Sequence, residues 1–301
     1  MILTAIRERI TIEVVRWVPK GLYSAIVGWG ARQRLPRPVR SPLYRTFSRV
    51  VGARLDEAEL PVADYPTFGD FFARRLRPGA RSVATDPLAV TAPCDGVLSA
   101  VGIAEDGRMI QAKGRDYSVE DLVLDDAWAR KLRGGPYLTF YLSPRDYHRV
   151  HAPMAARWLG YEYLPGDFFP VNPLFSRSVD GIMTRNERVV FHFDSPRGAM
   201  ALVMVGALAV SNIRIAYDGT ETGRSRHGST RHRVRLEPPR EVERGDELGA
   251  FQLGSTVILI FEPKGIDLDA AMQPGSAVRF GEPIGWMRKR VDHASAMGIV
   301  S

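Results

Sequence analysis

The sequence predicts an α+β fold in which a β-rich body follows a basic, amphipathic helical segment, and three observations carry that expectation. Apolar residues near the N-terminus recur at helical spacing. From about Thr91 onward, short runs rich in Val, Ile and Phe alternate with Gly, Pro and Asp-Gly, the texture of strands and turns. Net positive charge is confined to the first of these regions. Residues 1–50 hold ten Lys/Arg against Glu8 and Glu13, a net +8, whereas the other 251 residues hold 31 basic and 32 acidic groups. A chain of 301 residues with 45% hydrophobic and 25% charged content can bury a substantial core and lacks the bias of a disordered polymer.

In the N-terminal segment, Leu3, Ile6, Ile10, Val14 and Trp17 share one helical face, and Leu22, Tyr23, Ile26 and Trp29 resume the pattern after Pro19-Lys20-Gly21. No charge-free stretch nearby approaches the roughly 18–20 residues of a bilayer span. Arg7, Glu8, Arg9, Glu13 and Arg16 interrupt any signal-peptide core. A basic helix carrying Trp and Ile suits an anionic membrane interface, and the same pattern also suits a helix packed on its own domain. Nucleic acid is not an expected partner, because no recognition motif accompanies the arginines. Three prolines in Leu35–Pro42 predict a linker, and a short helix is expected over about Leu43–Val51. Residues 1–52 are therefore read as a helical membrane-associating segment and 53–301 as the β-rich domain.

Within that domain, strands are expected at Gly96–Ile103, Tyr137–Leu142, Arg188–Phe193, Ala199–Val205, Leu208–Ile215 and Ser255–Phe261. Brief helical patterns occupy Phe68–Arg75 and Val119–Lys131. The charge-free run Gly198–Ile213 is too short to span a bilayer and contains Gly206, so it reads as two buried strands. The single cysteine, Cys94, excludes a disulfide framework or a multi-cysteine metal site and reads as a small buried residue.

Three places carry side chains able to do chemistry. Leu253-Gly254-Ser255-Thr256 runs directly into the apolar strand Val257–Phe261. Ser143–Pro153 holds His148 and His151, two of the six histidines, with Asp146 just before them. Ala92-Pro93-Cys94-Asp95-Gly96 places a carboxylate in a turn before a strand. Singly, each has an ordinary explanation, because Gly-Ser-Thr is a common turn and an Asp before Gly stabilises its own bend. The histidine pair has no HExxH-like pattern, and no metal is expected. Together the three supply serine, histidine and aspartate, the set that activates a hydroxyl. A serine hydrolase would carry Gly-x-Ser-x-Gly, which is absent around Ser255.

From about Phe68 onward the chain resembles the phosphatidylserine decarboxylase family. Thr67–Phe72 with Arg75–Arg81 is similar to the family's early block, and Pro93-Cys94-Asp95-Gly96, Lys113-Gly114 and Tyr117-Ser118 follow in order. The histidine block, Tyr163–Gly166, Asn186-Glu187-Arg188 and Val205-Gly206-Ala207 come next. Gly245–Phe251 then leads into Leu253-Gly254-Ser255-Thr256, and Gly281–Gly285 closes the series. The sequence departs from the family's usual Val-Gly-Ser continuation, reading Val210-Ser211-Asn212 instead.

The resemblance implies self-cleavage between Gly254 and Ser255, giving chains 1–254 and 255–301, the latter 47 residues long and starting in a pyruvoyl group made from Ser255. Gly254 suits the cut, since a residue without Cβ leaves its carbonyl open and tolerates a strained turn. It further implies His151 as the base for Ser255, Asp95 as the partner of His151, and His148, titrating near neutrality, as the proton donor in decarboxylation. An imine between the pyruvoyl ketone and phosphatidylserine would serve as electron sink, the task of pyridoxal phosphate elsewhere. None of the five lysines lies in a recognisable pyridoxal motif. The implied partners are phosphatidylserine in an anionic membrane, the protein's own cleaved chain, and a second copy in a homodimer. The implied location is peripheral, on the cytoplasmic face of the cell membrane. Two other readings stay open: a Ser/His/Asp lipid hydrolase that keeps Ser255 as a hydroxyl, and a non-catalytic membrane-binding protein.

Overall fold

A computed structural model describes residues 13, 17, 19–112, 114–208, 213–222, 230–252 and 254–288. Of the N-terminal apolar pattern, Leu3, Ile6, Ile10 and Val14 lie outside the described residues, as do Lys113, Val210-Ser211-Asn212 and Leu253.

Between residue 19 and the first strand, the described residues form the α-helices α1 (Lys20–Ala31), α2 (Arg37–Val51) and α3 (Phe68–Phe72). The expected linker at Leu35–Pro42 is instead the start of α2. Pro38 sits in the first turn, where no backbone N–H is needed, and Pro42 sacrifices a single intrahelical hydrogen bond. Side chains replace what the prolines cannot give. Arg40 donates from Nε to Leu35 O at 2.8 Å and from Nη1 to Ala63 O at 3.1 Å, and Arg37 pairs with Asp64 at 2.6 Å. Gly52, at φ 78°, ends the helix in the left-handed conformation that a residue without Cβ adopts freely. Tyr44 of α2 packs with Val62, Tyr65 and Phe71, its ring stacked on Phe71 at 4.5 Å.

The strands, in chain order, are β1 (Ala89–Thr91), β2 (Gly96–Ile103), β3 (Arg108–Ala112), β4 (Arg115–Ser118), β5 (Pro136–Leu142), β6 (Arg149–His151), β7 (Ala156–Leu164) and β8 (Arg188–Ser195). They continue with β9 (Gly198–Gly206), β10 (Ile213–Ile215), β11 (His232–Val242), β12 (Glu247–Phe251), β13 (Ser255–Phe261), β14 (Ile266–Leu268), β15 (Ala277–Val278) and β16 (Pro283–Met287). Of the described residues in the expected strand Leu208–Ile215, Ile213–Ile215 are strand and Leu208 lies in a turn. The helical pattern at Val119–Lys131 is two helices, α4 (Val119–Val123) and α5 (Asp126–Leu132). Leu124, at φ 49°, breaks the run, and the Asp125 carboxylate then caps α5 by accepting from the N–H groups of Ala127 and Trp128.

Eight strands form an antiparallel sheet in the order β11-β7-β8-β9-β13-β5-β2-β15. β13 is therefore internal and covered on both faces, which explains its unbroken apolar text. Strand alternation divides its side chains between two cores. Val257 and Leu259 join Phe140, Leu142, Val150, Leu248 and Phe251 beneath the small sheet β10-β12-β6. Ile258 and Ile260 join Val203, Leu122 and Leu132 beneath α4 and α5. Burying each such side chain contributes about 1.5–3 kcal/mol. The quoted Asn186-Glu187-Arg188 stitches these layers together. Asn186 Nδ2 donates to Phe169 O and Gly206 O, Glu187 accepts from Tyr163 and Thr222, and Arg188 donates to Asp121 O and Leu122 O of α4.

Candidate active site

Ser255 opens β13, paired with Leu142 of β5 on one side and Gly206 of β9 on the other. The alternation of β13 turns its side chain to the face of Val257 and Leu259, the core shared with β6 and β12. Ser255 is fully buried and its Oγ has no hydrogen-bond partner. Buried polar atoms are nearly always paired, so an orphaned nucleophilic hydroxyl in a β-core needs a reason.

The histidine loop connects β5 to β6. The Asp146 carboxylate closes it, accepting from the Ser143 N–H at 2.7 Å and the Ser143 hydroxyl at 2.8 Å. Its backbone carbonyl accepts from His148 Nδ1 at 2.9 Å. A carbonyl can only accept, so Nδ1 carries the proton and Nε2 keeps its lone pair. That Nε2 is buried and unpaired as well. Phe72 lies against the ring at 4.2 Å. Burial holds the His148 pKa down to about 3, opposed by the Asp146 carbonyl and reinforced by the charge of Arg74. The expectation of a His148 titrating near neutrality is thus not met in the uncut chain.

His151 is anchored differently. Its N–H donates to Pro93 O at 2.8 Å, joining β6 to the turn that bears Asp95. Nδ1 donates to Gly245 O at 2.8 Å, and Nε2 accepts from the Tyr147 hydroxyl at 2.9 Å. The ring stacks on Phe280 at 3.8 Å. Burial lowers its pKa to about 4, opposed by the Gly245 carbonyl.

Asp95 does not hydrogen-bond to His151. Its carboxylate takes Arg81 in a two-pronged contact, Nε at 3.0 Å and Nη2 at 2.5 Å, and accepts from the Phe280 N–H at 2.9 Å. Arg81 also pairs with Glu57 at 2.8 Å. Asp95 therefore reaches His151 through Phe280, whose backbone it fixes and whose ring lies on the imidazole. The hydrogen-bonded Ser-His-Asp chain of a hydrolase is not formed.

These residues lie in a stretch with known relatives. The profile of the phosphatidylserine decarboxylase family matches residues 68–286. The chain belongs to that family. It is 45% identical over 279 residues to the phosphatidylserine decarboxylase proenzyme of Anaeromyxobacter sp. (strain K), covering 92% of this chain and 98% of the relative. The Myxococcus xanthus (strain DK1622) proenzyme is 42% identical over 274 residues, 91% of this chain and 97% of that one. The corresponding protein of Saccharophagus degradans is 37% identical over 282 residues, 92% and 97% of the two chains.

Against that family background, four groups that sequence reasoning passed over hold the site: Tyr147, Arg81, Phe280 and the Gly245 carbonyl. Tyr147 stands inside the histidine block and Arg81 ends the early one, so both were in view as text. Their bonds to partners on other elements have no local signature. Gly254 meets half its expectation. A Cβ there would touch nothing within 4 Å, so the position before Ser255 is open, and its φ does not lie in the left-handed region. Cys94 is buried with its thiol pKa pushed up by burial, as a packing residue would be.

Proposed function

We propose that this chain is the precursor of a phosphatidylserine decarboxylase that cuts itself between Gly254 and Ser255, converts Ser255 to a pyruvoyl group, and works at an anionic membrane surface. One observation carries the reading: the Ser255 hydroxyl is buried without a partner at the start of an internal strand, in the core that β6 also enters. The same observation is the test of fit. An orphaned Oγ next to an open Gly254 peptide suits conversion of that serine in place.

In processing, Ser255 Oγ adds to the Gly254 carbonyl carbon and the peptide nitrogen departs as an amine, leaving an ester. His151 is the base, and its Nε2 becomes available when the Tyr147 hydroxyl turns away or relays the proton. Elimination releases the Gly254 carboxylate and leaves dehydroalanine at the head of the shorter chain. Hydrolysis of that residue liberates ammonia. The resulting pyruvoyl group supplies a ketone that takes up the electron pair left when CO₂ departs.

His148 Nε2, unpaired in the uncut chain, is the position from which a proton is delivered to the α-carbon after CO₂ leaves, once cleavage and substrate entry relieve the burial that keeps it neutral. Asp146 holds that tautomer through its carbonyl. Leu142, Val257 and Phe251 belong to the apolar core on the face to which Ser255 points.

Membrane docking rests on the inverted packing of α1. The helix turns its small residues Ser24, Gly28 and Ala31 inward and exposes Leu22, Tyr23, Ile26 and Trp29. Among the described residues no helix is long and apolar enough to cross a membrane. The +8 charge of residues 1–50 supplies attraction to anionic lipid, at about 1 kcal/mol for each basic group close to the surface.

Intact-mass analysis of freshly purified protein tests the reading. Two chains of 254 and 47 residues, the smaller with pyruvoyl in place of serine, are expected, together with conversion of phosphatidylserine to phosphatidylethanolamine. A folded single chain without that conversion would overturn it. Deletion of residues 1–34 is expected to release the protein from anionic vesicles while self-cleavage continues.

A further inference from the structure

Beside the Ser255 loop lies a cavity of about 350 Å³ that none of the steps above uses. Arg74, Arg75, Arg149 and Arg214 line it, with Ala250 and Gln252 of the segment leading to the cut. Three of these guanidinium groups share one carboxylate: Glu247 stands 2.5 Å from Arg149, 3.4 Å from Arg75 and 3.9 Å from Arg214. The fourth has none. Arg74 is 3% exposed, has no carboxylate within 4 Å, and leaves Nε buried without a partner. Nη2 makes one long hydrogen bond to Arg145 O at 3.5 Å, the guanidinium lies over the Phe71 ring at 5.6 Å, and Glu57, Asp95 and Asp146 act on it only from beyond ion-pair distance. Two carboxylates, Glu59 and Asp70, also face the cavity, but both are exposed and therefore well screened.

A buried cation without a counter-ion is a costly arrangement unless an anion arrives to complete it. Guanidinium forks match the oxygens of phosphate, and four of them converge on this space. Arg74 and Arg149 form its buried floor, whereas Arg75 and Arg214 stand at the mouth.

We propose that this arginine-lined cavity binds the phosphodiester of the lipid head group, with Arg74 as the anchoring charge. The inference rests on the decarboxylase reading. Phosphatidylserine carries its phosphate one CH₂–O link from the carbon that loses CO₂, so the phosphate must sit close to the groups acting on that carbon. Arg74 satisfies this. It follows Phe72, which lies on His148, and it reaches the backbone of Arg145 in the histidine loop. Gln252 brings the cavity to within three residues of Ser255 along the chain.

The test uses the uncut Ser255→Ala protein, in which binding is read without turnover. Calorimetric titration with glycerophosphoserine is expected to show binding that Arg74→Met weakens at least tenfold and Arg74→Lys weakens less. Free serine, which lacks the phosphate, is expected not to bind. Inorganic phosphate is expected to bind weakly and to be displaced by glycerophosphoserine. Equal binding of glycerophosphoserine with and without Arg74 would overturn the proposal, as would phosphate binding that glycerophosphoserine does not displace. In the self-cleaving background, Arg74→Met is expected to raise KM for phosphatidylserine at least tenfold with a smaller change in kcat. Should that variant fail to fold, Arg214→Met at the mouth gives the same KM test with little burial at stake. If wild-type protein fails to decarboxylate phosphatidylserine, the decarboxylase reading falls; if only the arginine variants behave as wild type, this inference alone falls.

Discussion

Two regions of this molecule break the rule of apolar inside and polar outside, in opposite senses. The Ser255 hydroxyl at the head of β13 and the Nε2 of His148 in the loop before β6 are buried without partners. On α1, four large apolar side chains face outward while serine, glycine and alanine face in. The first departure raises the energy of the folded chain, since an unsatisfied buried polar atom costs about 1–3 kcal/mol. The second leaves the fold intact and exposes a surface that water does not favour. A fold that tolerates both has kept reactive groups dry and apolar groups wet. The proposed function needs one departure for chemistry and the other for reaching a lipid.

The largest expected effect breaks the comparison at its buried end. His151→Ala is expected to leave the chain uncut, and His148→Ala to permit the cut but lower decarboxylation about 10²–10⁴-fold. A cleavage gel beside a CO₂-release assay reads both, and identical behaviour of the two variants would refute separate roles. At the exposed end, replacing Leu22, Ile26 and Trp29 together by Ser is expected to weaken binding to anionic vesicles by about a hundredfold or more, at ~1.5–3 kcal/mol per buried side chain. The melting temperature should hardly move, because these side chains contribute little to the core; a large fall would mean that they pack on the protein. Tyr147→Phe removes the hydroxyl that occupies His151 Nε2, and self-cleavage is expected to change in rate by about tenfold, the worth of one hydrogen bond. Time courses of processing after a pulse of synthesis measure it.

A separate effect concerns pH. His148, His151 and His192 are all held below their ordinary value of 6.5 by burial, to about 3, 4 and 4. Below pH 6.5 the unfolded chain takes up protons that the folded one refuses. The stability that these histidines confer is therefore complete above that pH and lost as pH falls toward 4. Each group contributes a slope of about 1.4 kcal/mol per pH unit. Urea unfolding at pH 6 and pH 5 is expected to show this loss, and His192→Leu, on the distant strand β8, to reduce the slope by one proton.

Sequence patterns reported the strand bounds well at β13, where burial on both faces leaves an unbroken apolar run, and at β2, which is buried mainly on one face. They misjudged Leu35–Pro42, because a count of prolines does not reveal that Arg37 and Arg40 reach other segments to hold the helix start. The family blocks brought Asp95, His148, His151 and Ser255 into view; the His151 N–H joins β6 to the Pro93 turn before Asp95, and β6 and β13 contribute to one apolar core. What the text could not supply were contacts between distant positions, such as Phe280 bridging Asp95 to His151 and Gly245 fixing the tautomer of that ring. Such contacts are made by carbonyls and ring faces, which every sequence has in abundance.

The cut proposed before Ser255 falls at the edge of an internal strand, and that position has a lasting consequence. The 47 residues that follow would contribute β13 between β9 and β5, β15 beside β2, and the adjoining strands β16 and β14 beside β1. Those strands are woven into two sheets whose other members belong to the longer piece. Before cleavage, refolding is an intramolecular event that any single molecule can accomplish. Afterwards it becomes a meeting of two polypeptides, dependent on concentration, in which the longer one must wait with a gap in the middle of its sheet. Processing would thus turn a protein able to recover from unfolding into one that must be made anew.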